Sequence, residues 1–408
     1  MRGEELLYRL EEIDPAHLNA AEKARGYRVS RWLALGAAAA CLALLGYAGI
    51  RLLLPGSEPA EAQPALPLLS VAEDFGGGME FEGYMAYDIS ELVSANPWQE
   101  DINLTSLPVY RNPVAFDETY HLPSSVAFDK MEALLRQTAG RLGLEDLVIT
   151  DNSPDEETRA QIQSKMEGAG LTVPEGFFDP TRLLARAGDT ELQVDLHLTA
   201  EISFKPARPL PPEYSFTHYS TYEEIEAAAE YFRAQYGELL GMEEPRLNLY
   251  GGDYDIYGRQ LYRLEFFEGD GSDLDQILHN NFTPVAFYCD DAGGLFLVRI
   301  WQPDLSQKMG DYPIIIASEA RELLLEGHYI TTVPYEIPGR EYIRKVELVY
   351  RTGTQEEYYM PYYRFYAELP QEKRENGLNA YGAYYVPAVS GEYLTGMPTW
   401  DGSFNSAS

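Results

Sequence analysis

Apolar residues recur along this chain with three different periods, and each predicts a different element. From Trp32 to Ile50 they run without a charge. At about 1.5 Å per residue such a helix spans most of a ~30 Å hydrocarbon core, and Leu52–Leu54 extend it. Spacings of three and four predict helices further on. Phe128, Met131, Leu134, Leu135 and Leu142 line one side of AFDKMEALLRQTAGRLG. STYEEIEAAAEYFRAQYGELLG predicts a second helix, opened by a capping box of Ser220 and Glu223 and closed at Gly241. A third starts with Ser153 as cap and Pro154 in its first turn, and a fourth lies near SEARELLLEG. The first two helices share a stripe, a glycine and a leucine-rich close, a weak internal duplication.

Alternation of apolar and polar positions marks the strands. LQVDLHLTAEISF alternates throughout and predicts one strand; QLYRLEFFEGDG follows. PVAFYCDDAGGLFLVRIW predicts a hairpin across DDAGG, and RKVELVYRTGTQEEYYMPYYRFYAEL another that turns at TGTQ. YGAYYVPAVSGEYL predicts a final strand pair. Blocks of helix followed by meander imply an α+β fold, an N-terminal transmembrane helix followed by helices packed on antiparallel sheets. The expected layout is a helical head (1–31), the span (32–54), a Pro-rich linker (55–70), a first α+β block (71–212) and a second with a Tyr-rich C-terminal sheet (213–408).

Charge gives this layout a direction. Lys23, Arg25, Arg28 and Arg31 precede the span, and after Arg51 the next basic residue is Arg111. This bias predicts a cell-membrane protein with a cytoplasmic N-terminus and an extracytoplasmic C-terminal domain. A cleaved leader is the rival reading, through the small residues of Ala60–Ala62. The long charged start and an apolar run beyond the usual 7–15 residues argue against it. Of 31 basic and 65 acidic residues, seven and six stand at or before Arg51, so 24 and 59 follow it, a net −35. Such a domain repels nucleic acid and anionic lipid, and favours cations or basic partners.

Candidate chemistry is sparse. His17, His121, His197, His218, His279 and His328 show no metal-ligand spacing, and HExxH, GxSxG, GxGxxG and GKS/T are absent. No catalytic residue, metal or cofactor is expected, and the chain reads as a non-enzyme. GDGSDLDQIL lacks the EF-hand register and predicts Ser272 as a helix cap. YGGDYDIYGRQ predicts a turn between strands. Cys41 lies in the span, and Cys289 alternates with Val285 and Phe287 as a buried strand thiol, so no disulfide is expected. Two sets of residues carry the binding expectations. Tyr358, Tyr359, Tyr362, Tyr363, Tyr384 and Tyr385 lie in two-sided strands. Their outward members would make a rigid contact surface for a peptide, glycan or partner domain; the competing reading is a sheet core. In the head, Leu6, Leu7, Leu10 and Ile13 form a stripe opposite Glu4, Glu5, Arg9, Glu11 and Glu12. It suits the groove of a cytoplasmic protein better than an anionic leaflet.

The run KVELVY … MPYYRFY … YGAYYVPAVSGEY, with its turn at Ser390–Glu392, resembles the C-terminal block of PepSY-like and YycI-type extracytoplasmic regulatory domains over roughly the last 70 residues. The head GEELLYRLEEID, basic flank, anchor and LPVYRNP resemble uncharacterised single-pass proteins of Gram-positive anaerobes over nearly the whole chain. The YycI-type resemblance implies restraint of a membrane sensor kinase through membrane-helix and ectodomain contacts. This chain differs in its longer head and an additional ectodomain block. Two functions stand: a membrane-anchored regulator or sensor whose head engages a cytoplasmic partner such as a sigma factor, and a passive tethered module binding an envelope glycan or peptide. A hydrolase with an unrecognised site is a third.

Overall fold

The computed structural model describes residues 66–71, 94–115, 128–144, 147–173, 176–254, 260–331, 333–353, 355–372 and 379–402. The head with Leu6, Leu7, Leu10 and Ile13, the span 32–54 and most of the linker lie outside the described residues. Among the described residues no helix is long and apolar enough to cross a membrane. The elements run β1 (Ser106–Arg111), α1 (Phe128–Arg141), β2 (Val148–Asp151), α2 (Glu156–Gly168), β3 (Arg182–Ala187), β4 (Thr190–Asp195), β5 (Thr199–Pro209), α3 (Tyr222–Gln235) and α4 (Gly237–Leu240). They continue as β6 (Pro245–Tyr254), β7 (Gln260–Glu268), α5 (Asp273–Phe282), β8 (Val285–Cys289), β9 (Gly294–Trp301), β10 (Lys308–Pro313) and α6 (Ala317–Leu325). The last are β11 (Ile330–Thr331), β12 (Ile343–Tyr350), β13 (Tyr358–Tyr359), β14 (Pro361–Leu369) and β15 (Ala380–Pro387). Residues 66–155 and 165–408 form one compact unit. The fold is α+β with antiparallel sheets.

The largest sheet has eight strands in the order β2-β3-β4-β5-β9-β8-β7-β6. A packing helix and four antiparallel strands, α1 with β2 to β5, are followed by the same sequence again, α3 with β6 to β9. The two sets join last strand to last strand, Glu201 opposite Arg299. The blocks on either side of the expected boundary at 212/213 share one sheet through β5 and β9. Apolar residues of one sheet face and of the helices form a single core, including Leu134 and Leu135 of α1, Ile225 and Phe232 of α3, and Leu192, Ile202, Phe287 and Val298 of the strands. Phe232 stacks on Phe287 at 4.8 Å. Gly241 ends α4 in the left-handed region (φ 61°), where a Cβ would also come within 2.7 Å of Arg141 Cζ.

Three local expectations are corrected. The capping box of α3 uses Thr221 and Glu224. The hydroxyl of Ser220, one residue earlier, is buried in the preceding turn, where it accepts from Thr217 N at 3.0 Å. The run from Leu192 to Phe204 is two strands, because Asp195 accepts from His197 N and Thr199 N and Leu198 turns the chain at φ 55°. Among the described residues after β15 no second strand follows; a 3-10 turn at Gly391–Tyr393 leads to a parallel bridge between Leu394 and Leu69.

That bridge corrects the linker as well. Leu69 is fully buried, its N–H donates to Tyr393 O at 2.8 Å, and its carbonyl accepts from Thr395 N at 2.9 Å. Tyr312 Oη donates to Pro67 O at 2.9 Å, Ser70 Oγ donates to Glu357, and Leu66 lies over Gly310. The end of the Pro-rich stretch is thus clipped into the body of the domain.

The remaining sheets are β11-β15-β14-β12 and β10-β1-β13. The four-stranded sheet is covered on both faces. Tyr363, Phe365, Tyr384 and Val386 face a core with Trp98, Ile277, Phe282, Ala320 and Leu324, from α5, α6 and the 94–104 segment. Tyr362, Tyr366, Tyr381 and Tyr385 face a core with Leu69, Val109, Tyr312 and Val349. The hairpin expected at TGTQ is present as β12 with β14. Its connection, though, lends β13 to β1, pairing Tyr359 with Tyr110.

Candidate binding cleft

The six tyrosines expected to offer a contact face are all buried: Tyr358, Tyr359, Tyr362, Tyr363, Tyr384 and Tyr385 are each 8% exposed or less. The expectation of an outward set is corrected, and the reason is the layer count. With helices on one face and the clip and three-stranded sheet on the other, alternation sorts the rings between two cores, leaving no solvent side. Two of their hydroxyls satisfy loop carbonyls instead: Tyr363 Oη donates to Ile315 O at 2.8 Å and Tyr384 Oη to Tyr335 O at 3.1 Å. Beside them, Tyr350 Oη of β12 donates to Pro108 O of β1 at 2.9 Å. Burial pushes the Tyr363 phenol up to about 12.

Charged groups inside this region are paired. Glu347 of β12 faces Arg364 of β14 at 2.6 Å and Lys345 at 2.5 Å, and accepts from Ser94 Oγ. Burial would raise its carboxyl, but Arg364 and Lys345 outweigh that and hold it at about 2. Arg351 and Glu356 form a second buried pair at 2.5 Å, with the guanidinium over the Tyr362 ring. On the eight-stranded sheet, the face opposite the helix-packed core carries a polar row across the strands: Asn248, Glu265, Ala286, Arg299, Glu201 and Gln193 in register. Its members also satisfy one another. Arg299 bonds Glu201 at 2.7 Å, Gln193 Nε2 donates to Glu201 at 2.9 Å, and Tyr250 Oη donates to Glu265 at 2.9 Å. Burial raises the Glu265 carboxyl above its ordinary range. These pairings bridge neighbouring strands.

A cleft of about 360 Å³ opens where the two central strands end. β5 and β9 pair through Pro209 and Gly294 at its floor. A Cβ on Gly294 would meet Ala207 Cβ at 3.0 Å, so a side chain there would push the two strand ends apart by a few tenths of an ångström. Ala207, Pro209, Leu210, Pro211, Pro212 and Tyr214 form an apolar wall. Tyr214 is braced from behind by Tyr231 of α3, stacked at 5.1 Å. The facing wall is the β8–β9 hairpin. Asp290 Oδ1 accepts from Ala292 N at 3.0 Å and Gly294 N at 2.8 Å, locking the turn. Among the described residues Asp290 Oδ2 has no donor. Ser215 and Thr217 also line the cleft; their hydroxyls share the buried Ser220 Oγ at 2.7 and 3.3 Å. His218 and Asp291 pair beside it at 3.2 Å. Prolines, a stacked ring and an Asx-locked turn make these walls preformed, and the volume lies in the range of small-ligand clefts, about 300–1,000 Å³.

Sequence reasoning passed over this site. ARPLPPEYS fell at the expected block boundary, and DDAGG served only as a hairpin turn. The available signal was the run of prolines beside an aromatic, which marks a stiff loop; its facing partner lies some eighty positions later. The Asp270, Asp273, Asp275 stretch behaves as expected: Ser272 and Asp275 form a capping box on α5. Among the described residues no group of His, Cys, Asp and Glu could hold a metal ion. Cys289 is part-buried, and burial pushes its thiol up to about 12.

No family model matches the chain, and no curated protein matches it. Among solved structures it is similar to an uncharacterized protein from Eubacterium rectale ATCC 33656, at 14% identity and a TM-score of 0.30, covering 71% of this chain and 85% of that one.

Proposed function

We propose that this chain is a non-enzymatic, single-pass membrane-anchored sensor or regulator. Its extracytoplasmic domain binds a ligand, and its cytoplasmic head, through Leu6, Leu7, Leu10 and Ile13, engages a partner protein. The charge-free run from Trp32 to Ile50 with its basic flank supports the anchor. The observation that carries the regulator over a passive tether is the clip at Leu69. The clip ties the end of the Pro-rich stretch to the domain body through the Leu69 bonds to Tyr393 and Thr395, a fixed attachment that a passive tether does not need. The preformed cleft supplies a place for the ligand.

The test compares cytoplasmic crosslinking of the wild type with Leu69→Asp and Leu10→Asp in cells. We expect Leu10→Asp to abolish capture of the partner and Leu69→Asp to change its amount at equal membrane insertion. Capture unaffected by Leu69→Asp would reduce the protein to a tethered binding module for an envelope glycan or peptide.

A further inference from the structure

The cleft has one formal charge and one aromatic face, and together they select a ligand. Among its lining residues Asp290 alone carries a formal charge; no lysine, arginine or histidine lines it. Asp290 Oδ1 is committed to two backbone N–H groups, while Oδ2 has no donor among the described residues. A neutral apolar ligand would strip water from that carboxylate and leave it unpaired, and an anion would be repelled. A cation neutralises it. The wall opposite, with Tyr214 held by Tyr231, offers a ring to an ammonium's carbon-bound, partly charged hydrogens. The net −35 that follows Arg51 concentrates cations around the whole domain.

We propose that this cleft binds a small organic ammonium ion, with its nitrogen at Asp290 Oδ2 and its carbon body against Tyr214 and Pro209–Pro212. The proposal rests on reading the cleft as the ligand site of the domain.

Calorimetry on the full chain in detergent, at pH 7 and ~0.15 M salt to screen diffuse attraction, tests it. The probes are cadaverine and glucosamine, each beside its uncharged counterpart, 1,5-pentanediol and N-acetylglucosamine. Saturable one-to-one binding of an amine and none of its counterpart is expected. Asp290→Asn keeps an oxygen for the Ala292 and Gly294 N–H groups, so the hairpin survives while the charge is lost. Amine binding should weaken about tenfold, the loss of one charge-assisted contact. Tyr214→Leu should weaken it about threefold. Glu191→Gln removes a carboxylate of the same domain that pairs with Arg186 and Lys205 and does not line the cleft, and should change nothing. An equal loss in Glu191→Gln would assign the amine to net charge and overturn the site. So would unchanged binding in Asp290→Asn, or no amine binding. Saturable binding of an uncharged probe alone would overturn the ammonium while leaving the cleft as a ligand site.

Discussion

Single residues in the C-terminal sheet matter chiefly through burial. Tyr362 and Tyr384 are fully enclosed on opposite faces. Either one replaced by Ser should cost about 3–5 kcal/mol, as for other large-to-small core changes. Tyr363→Phe removes only the bond to Ile315 O and should cost about 1 kcal/mol. Urea unfolding measures both, and a Tyr362→Ser variant as stable as wild type would show the ring is not core. Glu347 has a pH signature. Its carboxyl lies at about 2 in the folded domain against an ordinary 4.5 unfolded. The ion cluster therefore stabilises fully above the ordinary value, and that share is lost as pH falls from 4.5 to about 2. At neutral pH it amounts to on the order of 3 kcal/mol. Glu347→Gln should lower stability at pH 7, by leaving Arg364 short of its counter-charge, and flatten the fall in stability over that acid window. Identical slopes for the two proteins would remove Glu347 from acid unfolding.

For elements, the ends show how local chemistry and packing divide the work. Thr221 and Glu224 cap α3 reciprocally, so Thr221→Ala should cost about 1 kcal/mol. Ser220→Ala spares that cap and instead unties the turn holding Thr217 and Ser215. It should therefore loosen the cleft wall, read as faster hydrogen exchange at Thr217 N with helix protection unchanged. The opposite pattern would return the cap to Ser220. A serine followed three positions later by glutamate satisfied the capping rule as well as the threonine did. What separates them is the buried position of the Ser220 side chain, a tertiary fact. The strand expected over Leu192–Phe204 failed for a related reason. Its alternation is real, but Asp195 can bond two N–H groups ahead and fold the chain into a hairpin, so the same alternation serves two paired strands.

Across the whole molecule, the two helix-plus-four-strand sets share a sheet through β5 and β9. They should lose structure in one transition, with near-ultraviolet aromatic signal and far-ultraviolet signal falling together. Two separated transitions would support a boundary at 212/213. Because the net charge is strongly negative, modest salt should raise the melting temperature by relieving self-repulsion. Reducing agent should not shift it, since Cys289 is free and its thiol is held protonated by burial.

Composition and period were enough to establish much of this protein. The antiparallel strands, the packing helices, the α5 cap at Ser272, the β8–β9 hairpin and the repeat of helix followed by strands all follow from local spacing and capping, whose partners are a few residues apart. Tertiary structure alone decided the rest, because each case depends on groups far apart in the chain. Whether the tyrosines of β14 and β15 meet water depended on a second layer over their sheet. That layer comes from β1, β10 and the 66–71 segment. Whether the end of the Pro-rich stretch packs on the domain depended on Leu394 lying beside Leu69. And the cleft exists only because β5 pairs with β9, bringing Pro209–Tyr214 opposite Asp290: a stiff loop and a hairpin turn become two walls when strand pairing closes the distance between them.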